Sequence, residues 1–322
     1  MKPSPHRIAV VDIGTNSVKL LIAHAHKTRR FEIDHFLRQT SRIRAEDRAQ
    51  PACIDTNVAV LATLDKTIRS FDCRHTFVFG TQGLRELKRT DTTGTVIATL
   101  ERAVGAPIRI LGGKEEARYA YLSAKENLAL KRRRTVLIDV GGGSTELVVA
   151  DRGRVRHARS LPIGALGLTE RFIQADPVDD DEFKALTDHV DRTWRRVAAA
   201  TDLAGQPADS IDLVASGGTI GTLSLVMAGR TTFPKPRFAR ITPLPNVSSR
   251  QVKEFLDRCL AMPLRDRKRI KGLEPDRADI ICAGLAIVLS VMKNVNKRVL
   301  QPNHGGVREG VLIHVLQNEL RW

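Results

Sequence analysis

The chain has 322 residues, 42% of them hydrophobic and 27% charged, with a net charge of +16, four cysteines and an aromatic content of 4%. Such a chain is globular and long enough for two domains, which excludes a disordered or fibrous protein. No apolar run approaches a membrane span, no C-x-x-C pair points to zinc or a disulfide framework, and two Trp and two Tyr offer little for a single-stranded nucleic acid to stack on.

Residues 1–7 lead directly into an apolar run interrupted by Asp12, a pattern of neither a signal nor a transit peptide, so the cytoplasm is the expected compartment. The positive field implies a polyanionic partner. With no zinc-finger, homeodomain or RNA-recognition signature, neither nucleic acid nor a membrane is expected to be that partner.

Residues 8–22 (IAVVDIGTNSVKLLI) predict a β-hairpin: an apolar strand ending in Asp-x-Gly, a small polar tip, and a second apolar strand. Residues 136–149 (VLIDVGGGSTELVV) repeat the device, so that Asp12 matches Asp139, Gly14 matches Gly141, Ser17 matches Ser144 and Lys19 matches Glu146. Between the two, helical spacing is predicted over 56–71, a strand over 76–79 ending at Gly80, a helix over 96–104, a strand over 108–111 and a helix over 115–129. The basic run 131–134 reads as a solvated linker. Beyond the second hairpin, a helix is predicted over 179–200, and an apolar strand over 211–214 leads into Ala215–Gly221 (ASGGTIG), a glycine-rich turn expected to open a helix over 222–227. Pro234, Pro236, Pro243 and Pro245 punctuate a loop, Ser248 is a candidate N-cap for a helix to Leu260, and a buried helix is expected over 277–295. A last helix, over about 308–322, is expected to return to the first domain.

Duplication of the hairpin suggests two related α/β domains, 1–128 and 129–322, with the hairpin tips facing each other across a cleft. Consecutive glycine and hydroxyl residues let backbone N–H groups converge on an anion, and the adjacent aspartate can hold a cation or a bridging water. One such turn alone would be an ordinary tight hairpin. The pair, together with the third glycine-rich turn, points to phosphate.

The motifs AVVDIGTNSVKLLIA, GTQGLRE, GGKEEARYAYLSA, VLIDVGGGSTELVV, LPIGALGLTERF, VASGGTIGTL, KGLEPDRADIICAGLAIV and GVREGVL, spread over nearly the whole chain, resemble the exopolyphosphatase and guanosine pentaphosphate phosphohydrolase family. The resemblance implies a fold of two actin-like (ribonuclease H-like) domains, shared with sugar kinases and Hsp70 ATPases. It implies that Glu116 is the catalytic base that orients and deprotonates water and that Arg85 binds phosphate. It places Asp139, Glu146 and Asp12 on the Mg²⁺ side, with Mn²⁺ as an alternative ion. Phosphate would sit on Gly14, Thr15, Asn16 and Ser17, on Gly141, Gly142, Gly143 and Ser144, and on the third turn at Gly217, Gly218 and Thr219. The implied reaction is removal of terminal phosphate from inorganic polyphosphate, with guanosine pentaphosphate as the alternative substrate, and the implied assembly is a homodimer.

Elementary chemistry suits these roles. Phosphoryl transfer to water spreads charge over the equatorial oxygens, so it requires positioning, a cation and fixed donors, with a carboxylate for the water and arginine for bidentate grip. Simpler readings exist beside each. Glu115 fits a helix-dipole role, Arg85 could form a surface ion pair with Glu86, and Lys19 could be solvated or ion-paired. The segment 41–47, with Arg44, departs from the family's glycine-containing acidic stretch, and 303–306 (NHGG) replaces its serine-aspartate pair, so that His304 reads as a structural substitute. Longer relatives carry an extra C-terminal helical domain, so a preference for short polymers or lower processivity is expected. A kinase of the same superfamily and a non-catalytic polyanion-binding protein rank lower: no acceptor signature is evident, and Arg85, Glu116, Asp139 and Glu146 are all present.

Overall fold

The structure, a computed structural model, describes residues 7–25, 31–42, 50–91, 94–128, 130, 134–201, 203, 210–233, 244–318 and 320. The chain divides into two compact units, the first comprising Met1–Ser123, Lys235–Ile241 and Val307–Trp322 and the second Ala124–Pro234 and Thr242–Gly306. Both are α/β. Arg44, the basic residues 131–133, and Pro234, Pro236 and Pro243 lie outside the described residues.

In the first unit, β1 (Arg7–Ile13) and β2 (Ser17–Ala25) form the expected antiparallel hairpin, joined by β3 (Phe31–Thr40) antiparallel to β2. On the other side of β1, β4 (Cys73–Gly80) and β5 (Ile108–Ile110) run parallel, giving the order β3-β2-β1-β4-β5. The near-continuous apolar run of β1 reflects burial of both faces, as expected of a central strand. Ala9, Val11 and Ile13 pack with Leu61 and Leu64 of α1 (Pro51–Ser70) and with Leu100 and Val104 of α3 (Thr95–Val104). Ile8 and Val10 pack with Tyr119 of α4 (Gly113–Leu128) and with Val311 and Leu312 of α11 (Val307–Gln317). The last helix is therefore part of the first unit. A short α2 (Gln82–Thr90) follows β4 directly.

In the second unit, β6 (Arg134–Val140), β7 (Thr145–Asp151) and β8 (Arg154–Leu161) form an antiparallel meander. β9 (Ile211–Gly217) lies parallel to β6, and β11 (Val299–Pro302) parallel to β9, with the two-residue β10 (Val247–Ser248) at the end. The order is β10-β11-β9-β6-β7-β8. The helices are α5 (Ala165–Phe172), α6 (Asp180–Ala199), α7 (Gly218–Met227), α8 (Ser249–Leu260), α9 (Leu264–Arg267) and α10 (Ile281–Asn294). α10 is buried on nearly all sides, which its apolar composition anticipates.

Helix ends differ from expectation for local reasons. α7 begins at Gly218 instead of Thr222, because Gly217, with φ +96, breaks the strand and serves as N-cap at once. The buried helix expected from Arg277 begins at Ile281, since Pro275–Arg277 form a separate 3-10 turn. Ser248 caps α8 as expected: its Oγ accepts from Gln251 N at 3.2 Å while Gln251 Oε1 accepts from Ser248 N at 2.9 Å. Among the described residues no helix is long and apolar enough to cross a membrane, and all four cysteines are free.

Candidate active site

The two hairpin tips close by the same bond. Gly14 N donates to Ser17 O at 3.1 Å, and Gly141 N donates to Ser144 O at 2.9 Å. The register aligns the duplicated side chains as well, pairing Asp12 with Lys19 across β1 and β2, and Asp139 with Glu146 across β6 and β7. All but Lys19 are buried.

At the first tip, Lys19 Nζ bonds Asp12 Oδ2 at 3.2 Å, so the cation beside this aspartate is the chain's own. Asp12 Oδ1, both amide atoms of Asn16 and Ser41 Oγ are buried without a hydrogen-bond partner. Buried polar atoms are normally satisfied, so a cluster of such orphans marks a place for water or a polar ligand. The backbone of the tip is itself anchored: Ser41 N and Arg42 N each donate to Asn16 O at 3.3 Å.

Arg85 and Glu116 belong to the same unit. Thr81 N donates to Ile13 O at 3.2 Å, which seats the start of α2, and hence Arg85, next to the first hairpin. Leu111 N donates to Gly80 O at 2.9 Å and brings in the start of α4. Arg85 Nη1 forms an ion pair with Glu116 Oε1 and also donates to Leu111 O at 2.8 Å. Glu116 is only 2% exposed, which makes it a desolvated carboxylate held by one guanidinium. Glu86 Oε1 accepts from Gln82 Nε2 at 2.8 Å. Glu115 has a structural place, accepting from Gly112 N at 3.0 Å and pairing with Arg109 at 2.8 Å.

At the second tip the rung carries Glu146 where the first carries Lys19. Glu146 Oε1 accepts from Ser144 Oγ at 2.8 Å and from Ser160 Oγ at 2.7 Å. Asp139 lies between two glycines: a Cβ on Gly217 would fall 2.6 Å from its Oδ1, and one on Gly306 3.1 Å from its Oδ2. Like carboxylates on one rung repel, so the pair fits a cation that neutralises them. Among the described residues no cluster of three or more His, Cys, Asp or Glu is assembled for a metal. Two carboxylates are nevertheless the protein share Mg²⁺ commonly takes, the remaining ligands being water and substrate phosphate oxygens, and the donors here are all hard oxygens.

Two supports of the site were not read from the sequence. The first is α5, whose amino end braces the second tip: Ala165 N donates to Gly141 O at 2.9 Å, and Leu166 N and Gly167 N to Gly142 O at 2.8 and 3.1 Å. Any Cβ at Gly164 would collide with the backbone of Gly142 and Gly143, so only glycine permits this approach. The second is Arg277, whose guanidinium lies directly against Gly218 in the third turn, tethered by Glu274 Oε2 to Nε at 2.6 Å. Thr219 stands in the third turn with its two polar groups differently placed. Its hydroxyl packs against Gly284 of α10, which leaves its backbone N–H, at the start of α7, as the group able to meet an anion. His304 makes an edge-on contact with Phe233, ring centroids 3.9 Å apart, and Asn303 Oδ1 accepts from Asn127 Nδ2 at 3.0 Å, so the altered loop before Gly306 is held by packing.

Comparison with known proteins shows the family and the fold. The model of the Ppx/GppA phosphatase family matches residues 31–319. Exopolyphosphatase 1 of Mycobacterium leprae is 26% identical over 318 residues, covering 97% of this chain and 90% of that protein. The crystal structure of the Aquifex aeolicus Ppx/GppA family member superposes with a TM-score of 0.78 at 26% identity, covering 99% of this chain and 100% of the other. An exopolyphosphatase from Cytophaga hutchinsonii, at 20% identity and a TM-score of 0.85 over 97% of this chain and 98% of that one, shares the fold.

Proposed function

The chain belongs to the Ppx/GppA phosphatase family, and on that premise we propose that it is an exopolyphosphatase, hydrolysing the terminal phosphoanhydride of inorganic polyphosphate and releasing orthophosphate. The observation that carries the reading is the buried Glu116 carboxylate, held by Arg85 beside the first glycine turn. Arg85 has the reach and the planar donors to shift to a phosphate oxygen when substrate enters, which releases Glu116 to accept a proton from water. The water oxygen then bonds the terminal phosphorus, the bridging P–O bond breaks, and its electron pair leaves with the shortened polymer. Within the first unit Gly14 to Ser17, and within the second Gly141 to Ser144 and the first amides of α7, each present donors suited to phosphate oxygens. Asp139 and Glu146, with the Ser144 hydroxyl beside them, would hold Mg²⁺ or Mn²⁺, which supplies charge neutralisation on those oxygens. Asp12 keeps one buried oxygen, Oδ1, able to accept from a water, while Lys19 beside it disfavours direct contact with a further cation.

Four free cysteines support a reducing, cytoplasmic setting. The homodimer rests on family resemblance and is tested by sedimentation at micromolar protein. The function is tested by phosphate release from polyphosphate, guanosine pentaphosphate and ATP, with and without Mg²⁺. Mg²⁺-dependent release with the highest kcat/KM on polyphosphate is expected. A higher kcat/KM on guanosine pentaphosphate would reassign the substrate, and acceptor-dependent transfer from ATP would replace hydrolysis by a kinase reaction.

A further inference from the structure

Away from the glycine turns, the second unit gathers positive charge at the far end of α5. Arg171 lies over the ring of Phe172, its Cζ 5.0 Å from the centroid, and that ring is 5.2 Å from the imidazole of His189 on α6. Three and seven residues further along α6, Arg192 and Arg196 fall on the same helical face as His189. All three arginines are exposed, and among the described residues none of them forms a salt bridge. Asp188, next to His189 on α6, bonds Lys184 Nζ at 2.7 Å and also feels the charges of Arg192 and Arg195. Burial first, and then the charges of Arg171, Arg192 and Arg196, hold the His189 imidazole below its ordinary pKa.

This cluster is tied to the candidate site by one short helix. The amino end of α5 is bonded to the second glycine turn, and its eight residues span about 12 Å at 1.5 Å per residue. Its carboxyl end carries Arg171.

We propose that Arg171, Arg192 and Arg196 form an accessory anion-binding surface that holds phosphates of a long polyphosphate chain some distance from the terminal one being hydrolysed. The proposal rests on the polyphosphatase reading and extends it. A linear polymer with one end at the second glycine turn must leave the site past neighbouring surface, and guanidinium groups that cannot deprotonate suit repeated phosphates. The chemistry favours such a chain over a nucleic acid, because Arg171 covers the Phe172 ring and leaves no free aromatic face for a base.

The test compares the parent protein with the triple variant R171Q/R192Q/R196Q on tripolyphosphate and on a polymer of several hundred phosphates, at low and at physiological salt. Expected for the long polymer is a rise in KM of about fivefold or more with kcat unchanged, and a log KM against log salt slope reduced by about two, from roughly 0.7 per neutralised charge on a single-stranded polyanion. Tripolyphosphate constants and the melting temperature stay at parent values, and the triple lysine variant recovers most of the long-polymer affinity. An unchanged long-polymer KM and slope, or an equal loss on tripolyphosphate, would overturn the proposal. Should the parent release no phosphate at all, the functional reading fails by itself. Direct titration with the long polymer then decides the surface separately: weaker binding by the glutamine variant supports it, and equal dissociation constants overturn it.

Discussion

The two hairpins share a backbone and differ in their charge. On the rung below each tip the first unit sets Lys19 against Asp12, and the second sets Glu146 against Asp139. The first rung is neutral by itself, whereas the second carries two buried carboxylates, with Glu146 accepting from the hydroxyls of Ser144 and Ser160. The same fold device has thus been specialised twice. One copy brings its cation in the sequence, and under the proposed function the other would take one from solution.

The largest effect is expected where the external cation acts. D139N and E146Q should each lower kcat by about 10³-fold, the several kcal/mol that a metal contributes at 1.36 kcal/mol per tenfold. Steady-state phosphate release at saturating Mg²⁺ checks this, and a loss within tenfold would mean the second rung is not the metal's. Next is the brace on the second tip. G164A must push the tip away from α5, and a displacement near 1 Å should reduce kcat/KM by about 10²-fold while the far-ultraviolet spectrum stays that of the parent.

Exchanging the rung charges sharpens the comparison further. Mg²⁺ should raise the melting temperature of the parent, because a ligand that binds only the folded state stabilises it. E146K should lose that response. K19E should lower the melting temperature by placing like charges on one rung, and should gain an added Mg²⁺ response; absence of both changes would separate the rung from any cation role. The smallest effect is in the pH dependence. Burial lowers the pKa of His189 in the second unit, helped by Arg171, Arg192 and Arg196, and that of His314 in the first, helped by Arg109. Below the ordinary value of 6.5 the unfolded chain binds protons that the folded state resists, so stability should decline as pH falls from 6.5 through the lowered folded values. Above 6.5 neither group contributes, and H189N and H314N should each flatten the acid limb of a melting-temperature profile.

What the sequence made legible was local and repetitive. Asp-x-Gly between apolar strands reads as a hairpin wherever it occurs, and Ser248 before a helical period with Gln251 three positions on reads as a capping box. β8 was missed because its RVRHARSL stretch is an edge strand in which exposed arginines hide the apolar alternation. α5 was missed because Leu-Pro-Ile-Gly carries a tertiary contact, not a periodic pattern. The same limit applies to the site. Glu116 and Arg85 stand 31 positions apart and meet only because β1, β4 and β5 are neighbours in one sheet. Ser160 reaches Glu146 across β7 and β8, and Arg277 reaches Gly218 from a turn distant in sequence, so no local spacing could announce either.

The most direct measurement is single-turnover and steady-state phosphate release from polyphosphate by Glu116→Gln, with Mg²⁺ present. If the buried carboxylate takes the proton of the attacking water, kcat should fall by about 10²-fold or more, the low end for a general base, with polymer affinity retained. A rate equal to that of the parent would contradict the assignment and leave the Arg85–Glu116 pair as a structural ion pair.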